Sequence, residues 1–129
     1  MSFRCPQCKT LTSLDITRRI ELPPDSRSEE ITLQVVECYA CGFSGLAVYE
    51  EPRHGLLEAD DWVHIGYWVS KDAVDSVKSA IQSCPNPDDP QCACPVHSSL
   101  SRKDIHGVWN GLLEMERGHT FSMRLAVSE

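Results

Sequence analysis

The chain has 129 residues and a formal charge of −7, with 41% hydrophobic and 24% charged residues. This is the composition of one modest domain or two very small ones, not of a disordered chain, and no run of about 18 apolar residues offers a membrane span. The acidic balance opposes a generic basic coat for nucleic acid. Residues 1–6 carry no apolar signal-peptide core, so a cytoplasmic, reducing location is expected.

In that setting the seven cysteines, an odd number, read as metal ligands or catalysts rather than as disulfides. The first four form two Cys-x-x-Cys pairs, Cys5-Pro-Gln-Cys8 and Cys38-Tyr-Ala-Cys41. Each closes a tight turn whose sulfurs face one ion, and zinc takes four such ligands in a tetrahedron. Gly42 can adopt the positive φ that brings backbone amides onto the sulfurs; Lys9, at the matching place, makes the first turn less ideal.

Between the pairs, Leu14, Ile16, Ile20 and Leu22 alternate with polar residues, as in a half-buried strand, with Arg18 the exception on the apolar side. Pro23 and Pro24 end it, and the polar stretch to Glu30 reads as a loop. Ile31, Leu33 and Val35 resume the alternation towards Cys38, and residues 46–49 make a third short strand. Over residues 3–50 this arrangement resembles the zinc ribbons. The resemblance implies a three-stranded sheet and one structural zinc on Cys5, Cys8, Cys38 and Cys41, but no particular function.

Residues 50–61 read as an acidic connector, and residues 62–69 as a strand apolar on both faces. Its His64 reads as a hydrogen-bonded core histidine rather than a ligand. Ser70 can cap a helix with Asp72 in its first turn, and Val74, Val77, Ile81 and Cys84 recur at helical steps. Pro85, Pro87, Pro90 and Pro95 then disfavour helix or paired strand. This stiff loop carries Cys84, Cys92, Cys94 and His97, an accepted structural zinc set. His106 is the reserve ligand, an iron–sulfur cluster is the alternative occupant, and a buried apolar Cys84 beside a plain surface loop is the simplest alternative. Residues 105–116 and 120–127 read as a C-terminal hairpin, forming a second sheet or extending the first.

The expected architecture is therefore α+β: a zinc ribbon over residues 1–50, and over 51–129 a strand, one amphipathic helix, the Cys/His loop and a hairpin, packed as one unit. Three functions compete. A non-catalytic adaptor with two structural zinc ions would bind another protein, through aromatics such as Trp62, Trp68 and Trp109. A nucleic-acid-binding ribbon would use Arg4, Lys9, Arg18 and Arg19, against the overall charge. A zinc enzyme would keep Cys84, Cys92 and Cys94 as ligands and free His97 as a base, yet the metalloprotease, deaminase and nucleotide-loop signatures are missing. The first is preferred.

Overall fold

The computed structural model describes residues 2–24, 28–52, 63–100 and 120–123. Six strands, β1 (Ser2–Phe3), β2 (Leu14–Leu22), β3 (Ser28–Cys38), β4 (Ser44–Pro52), β5 (Val63–Tyr67) and β6 (Thr120–Ser122), form one antiparallel sheet in sequence order. Two helices accompany it, α1 (Lys71–Ser83) and α2 (Pro95–Leu100). The fold is thus mixed α+β, as expected, with the strands joined in one sheet.

Strand β2 explains how one sheet serves two cores. Leu14 and Ile16 lie opposite Cys38 and Val36, whereas Arg18, Ile20 and Leu22 lie opposite Val35, Leu33 and Ile31. Thr17 has no partner across the ladder, so β2 carries a bulge there. One extra residue shifts the period-two pattern by one, sending its apolar positions to opposite faces before and after it. Ile20 and Leu22 join Ile31, Leu33, Val35, Leu46 and Val48 beneath α1, which contributes Val74, Val77 and Ile81. Leu14 joins Phe3, Cys5, Val36, Cys38, Phe43 and Ala47 on the other face. Alternation alone places Leu14, Ile16, Ile20 and Leu22 on one face. Arg18, the exception in that pattern, follows the bulge directly and is exposed.

The helix expected after Ser70 is present. Ser70 Oγ accepts from Ala73 N at 3.1 Å, Asp72 sits in the first turn, and Cys84 N–H closes the far end on Ile81 O at 3.1 Å. Lys78 ties α1 to the sheet, donating to Glu37 Oε2 at 3.1 Å. The Thr17 hydroxyl and this ammonium hold the Glu37 carboxyl below its ordinary range. Both partners are about one-third exposed, so Lys78→Ala is expected to cost only about 0.5–1 kcal/mol in urea unfolding at pH 7. A carboxyl held low when folded stabilises above its unfolded pKa of about 4.3, and that contribution disappears as pH falls through the folded value. Wild type and variant should therefore converge in stability at acidic pH.

Three local expectations change. The polar stretch before Glu30 is not all loop, because β3 begins at Ser28 and pairs with Pro52 of β4. The second strand region is shorter, Val63–Tyr67, and Trp68 beyond it packs edge-on against Phe43 at 4.7 Å. The proline-rich loop contains a helix, α2, since Pro95 occupies a first-turn position where no N–H is needed and its fixed φ suits the helix. Of the expected hairpin, 105–116 lies outside the described residues; Thr120–Ser122 pairs with β5, so the sheet is extended rather than duplicated. Trp62, Trp109, His106 and most of the acidic connector also lie outside the described residues. His64 is held as expected: its Nε2 lies 2.7 Å from Gln34 Oε1, Phe3 and Tyr49 meet its ring edge-on, and burial lowers its pKa.

Candidate metal centres

The two Cys-x-x-Cys turns are built alike. In the first, Lys9 N donates to Cys5 O at 3.0 Å, while Gln7 N and Cys8 N point at Cys5 Sγ at 3.4 and 3.5 Å. In the second, Gly42 N donates to Cys38 O at 3.1 Å, while Ala40 N and Cys41 N point at Cys38 Sγ at 3.3 and 3.4 Å. Lys9 has φ +67° and Gly42 φ +82°, so both turns end in the left-handed region. Glycine does this freely; the lysine pays about 1–2 kcal/mol for its Cβ. The register Phe3↔Leu14 and Leu14↔Cys38 lays the two turns side by side at one end of the sheet.

The four sulfurs consequently converge, with Cys5 and Cys41 at 3.7 Å and Cys8 and Cys38 at 3.8 Å. A tetrahedral zinc with Zn–S bonds near 2.3 Å needs sulfurs about 3.8 Å apart, so the residues fit the ion. Ser13, fully buried, places its Oγ 3.0 Å from Cys38 Sγ, and Gln7 Nε2 donates to Cys41 Sγ at 3.4 Å. Neither residue stands out in the sequence: Ser13 reads there as an outward strand residue, and its only signal is position beside a cysteine turn.

The second group forms where α1 ends. Cys84 caps α1, the chain turns through Asn86–Asp89 and Asp89–Cys92 by backbone bonds of 3.1 Å, and Cys94 leads into α2. His97 N donates to Cys94 Sγ at 3.4 Å, so Cys94-Pro-Val-His97 repeats with an imidazole the amide-to-sulfur bond of the first two turns. Cys84 Sγ lies 3.9 Å from Cys92 Sγ, 3.5 Å from Cys94 Sγ and 3.2 Å from His97 Nδ1. A mixed tetrahedron needs sulfur–nitrogen edges of about 3.6 Å.

His97 is 1% exposed, and its Nε2 lies 2.9 Å from the carbonyl oxygen of Glu21 in β2. A carbonyl can only accept, so Nε2 carries the proton and Nδ1 presents its lone pair to the sulfurs. This is how a ligating histidine is usually oriented. Both ring nitrogens are engaged, which leaves neither free for the base role in the enzyme reading. In each group every ligand atom lies within 4.8 Å of the others, room for one ion but not for a cluster interposing several atoms. Two groups, one of four cysteines and one of three cysteines with a histidine, are therefore placed for metal binding, and the eight residues singled out in the sequence are those brought together. No family profile, no curated protein and no solved structure matches this chain.

Each group pairs a reluctant thiol with a ready thiolate. Burial pushes Cys5 up to about 12 and Cys84 up to about 11. The Thr10 hydroxyl and amide bring Cys8 down to about 6; the His97 amide and ring do the same for Cys94, also to about 6. At neutral pH Cys8 and Cys94 are open to a cation at once, while Cys5 and Cys84 must lose a proton to bind. In stripped chain that has unfolded, these thiols return to the ordinary range of about 8.5, so loading zinc near pH 7 should release about four protons per chain or more, from Cys5, Cys8, Cys84 and Cys94, read with an indicator in weak buffer. Zinc affinity should fall as pH drops, and more steeply below about 6, where protons compete for Cys8 and Cys94 as well as for Cys5 and Cys84. Zinc uptake without proton release would refute ligation by Cys5 and Cys84.

Proposed function

We propose that this chain is a non-catalytic zinc-binding protein, with two structural ions, that acts as a protein-interaction or adaptor module. The observation that carries the reading is the convergence of Cys5, Cys8, Cys38 and Cys41, and of Cys84, Cys92, Cys94 and His97. Thiolate-rich four-ligand sets suit zinc in closed structural sites, where no position is left open for substrate. Residues 1–50 and 51–129 work as one unit in this reading, because β4 pairs with β3 on one side and β5 on the other. No helix among the described residues is long and apolar enough to cross a membrane.

The interaction role draws on two side chains beside the first group. Leu11 is 57% and Tyr39 72% exposed, the large apolar residues most open to water among those described. Tyr39 N donates to Ser13 O at 3.0 Å, which ties the backbone of the second cysteine turn, and with it Tyr39, to the start of β2. The test begins with elemental analysis, which should return two zinc ions per chain. A partner captured by wild type should then be lost on Leu11→Ser/Tyr39→Ser while both ions remain. Equal capture by the double variant would remove this surface from the reading.

One observation favours nucleic acid as a second reading. Arg4, Lys9 and the Phe121 ring line a cavity of 310 Å³ beside the first group. Cations beside a ring suit a phosphate and a base, whereas the net charge of −7 opposes it. Binding of a single-stranded oligonucleotide that weakens steeply with salt would support this reading; no binding at low ionic strength would remove it.

A further inference from the structure

The second group meets the sheet at an edge. Among the described residues, strand β1 pairs with β2 only at Leu14 and Asp15; beyond them the ladders of β2 run to β3 alone. An edge with unpaired backbone is a template for another strand. Here the loop between α1 and α2 covers it through one residue. Glu21 N donates to Pro87 O at 2.7 Å, and Glu21 O accepts from His97 Nε2 at 2.9 Å. Asp88 adds a solvent-exposed contact to Arg19 at 3.9 Å. One of these two bonds to the Glu21 backbone is thus made by the imidazole that faces the three sulfurs.

We propose that the second centre is a latch on β2. With its ion bound, the loop covers the edge and the chain stays monomeric; when the ion is lost, the edge pairs antiparallel with β2 of a second copy. The inference rests on reading Cys84, Cys92, Cys94 and His97 as a zinc centre. Without the ion nothing covalent or coordinate ties His97 to Cys84 and Cys92, and the loop keeps to β2 by two hydrogen bonds, an exposed ion pair and the packing of Cys92, Cys94 and Val96 against the core that holds Ile20 and Leu22.

The second copy is identified by charge. In an antiparallel pair centred on Ile20, Arg19 of each copy lies directly opposite Glu21 of the other, with both side chains on one face. Opposite charges at such positions favour pairing, and like charges oppose it. Two such pairs replace the single contact between Arg19 and Asp88. The two-fold symmetry makes the interface self-complementary, so the dimer is closed and does not grow into a fibre. Ile20 and Leu22 stay in the core throughout, because pairing at the edge uses only backbone groups and the opposite face.

The test measures zinc per chain and molar mass by light scattering on the full chain. Wild type should carry two zinc ions and be monomeric. Cys92→Ala/Cys94→Ala should carry one zinc and form a concentration-dependent dimer. Adding Arg19→Glu, which sets carboxylates against each other across the pair, should return it to monomer; adding Glu21→Arg as well should restore the dimer. A one-zinc variant that stays monomeric, or a dimer indifferent to these charges, overturns the latch and leaves the two centres standing. A single zinc on wild type overturns the second centre and the latch together. Should the double variant lose both ions, wild type titrated with chelator to one zinc per chain replaces it, and a monomer there overturns the latch.

Discussion

Removing zinc is expected to unfold the chain. A structural zinc contributes on the order of 10 kcal/mol in finger peptides, against a net stability of about 5–15 kcal/mol for a whole domain. The first group ties the start of β2 to the end of β3, and Cys5 and Cys38 are themselves buried among Phe3, Leu14, Val36 and Phe43. Loss of the ion leaves buried thiols without a partner charge and two turns held only by weak amide–sulfur bonds. Stripped protein, with zinc removal verified by elemental analysis, should lose the sheet signal in circular dichroism and show no cooperative thermal transition. Readdition of zinc should restore both. Cys38→Ser should reproduce the effect at the first group alone, because Cys38 is the buried sulfur that Ser13 and two amides surround. An unchanged spectrum after verified removal would show that the core suffices without metal.

Deleting Thr17 is expected to be nearly as damaging, although Thr17 touches neither metal group. Without the bulge the strand cannot keep Leu14 and Ile16 opposite Cys38 and Val36 while Ile20 and Leu22 stay opposite Leu33 and Ile31. One set must turn to the wrong face. Ile20 and Leu22 are essentially fully buried, and exposing them forfeits about 2–3 kcal/mol each, so a loss of about 4–6 kcal/mol is expected in urea unfolding. Moving Glu21 would also withdraw the carbonyl that orients His97. Thr17→Ala keeps the residue count and the bulge, and should cost no more than about 1 kcal/mol. Equal stability of the two variants would mean that the register does not depend on the bulge.

Much of the candidate site was legible in the sequence because ligand chemistry is tied to residue type. Only cysteine and histidine could supply these donors, so spacing sorted the first four and the remainder fell to the proline loop. Helix α1 was legible from its period and its Ser70 cap. What stayed hidden was carried by the backbone. The carbonyl of Glu21 would be there with any side chain, so nothing in the sequence marks it as the acceptor for His97. The bulge is likewise a backbone event, and its one visible trace, Arg18 among apolar positions, reads as noise until the register is known. Helix α2 is hidden because prolines in a cluster signal a break, whereas the one at position 95 begins a helix. Ser13 stays hidden because alternation places it outward and takes no account of the cysteine turn beside it.

The order of the strands has a consequence for how the molecule is assembled. Every strand from β2 to β6 pairs with the one before it in the chain. The β2–β3 and β3–β4 connections are short and close at little entropic cost, whereas β6 reaches β5 only after residues 68–119, so the first long strands can pair early. The first cysteine group is complete once residue 41 has been made, so an ion bound there would tie the β2–β3 hairpin while the rest of the chain is still being synthesised. Glu21 then waits as a finished docking point. The second group, whose residues begin at Cys84, assembles against a surface that already exists. Its ligand set is thus complete only at His97, well after that of the first group.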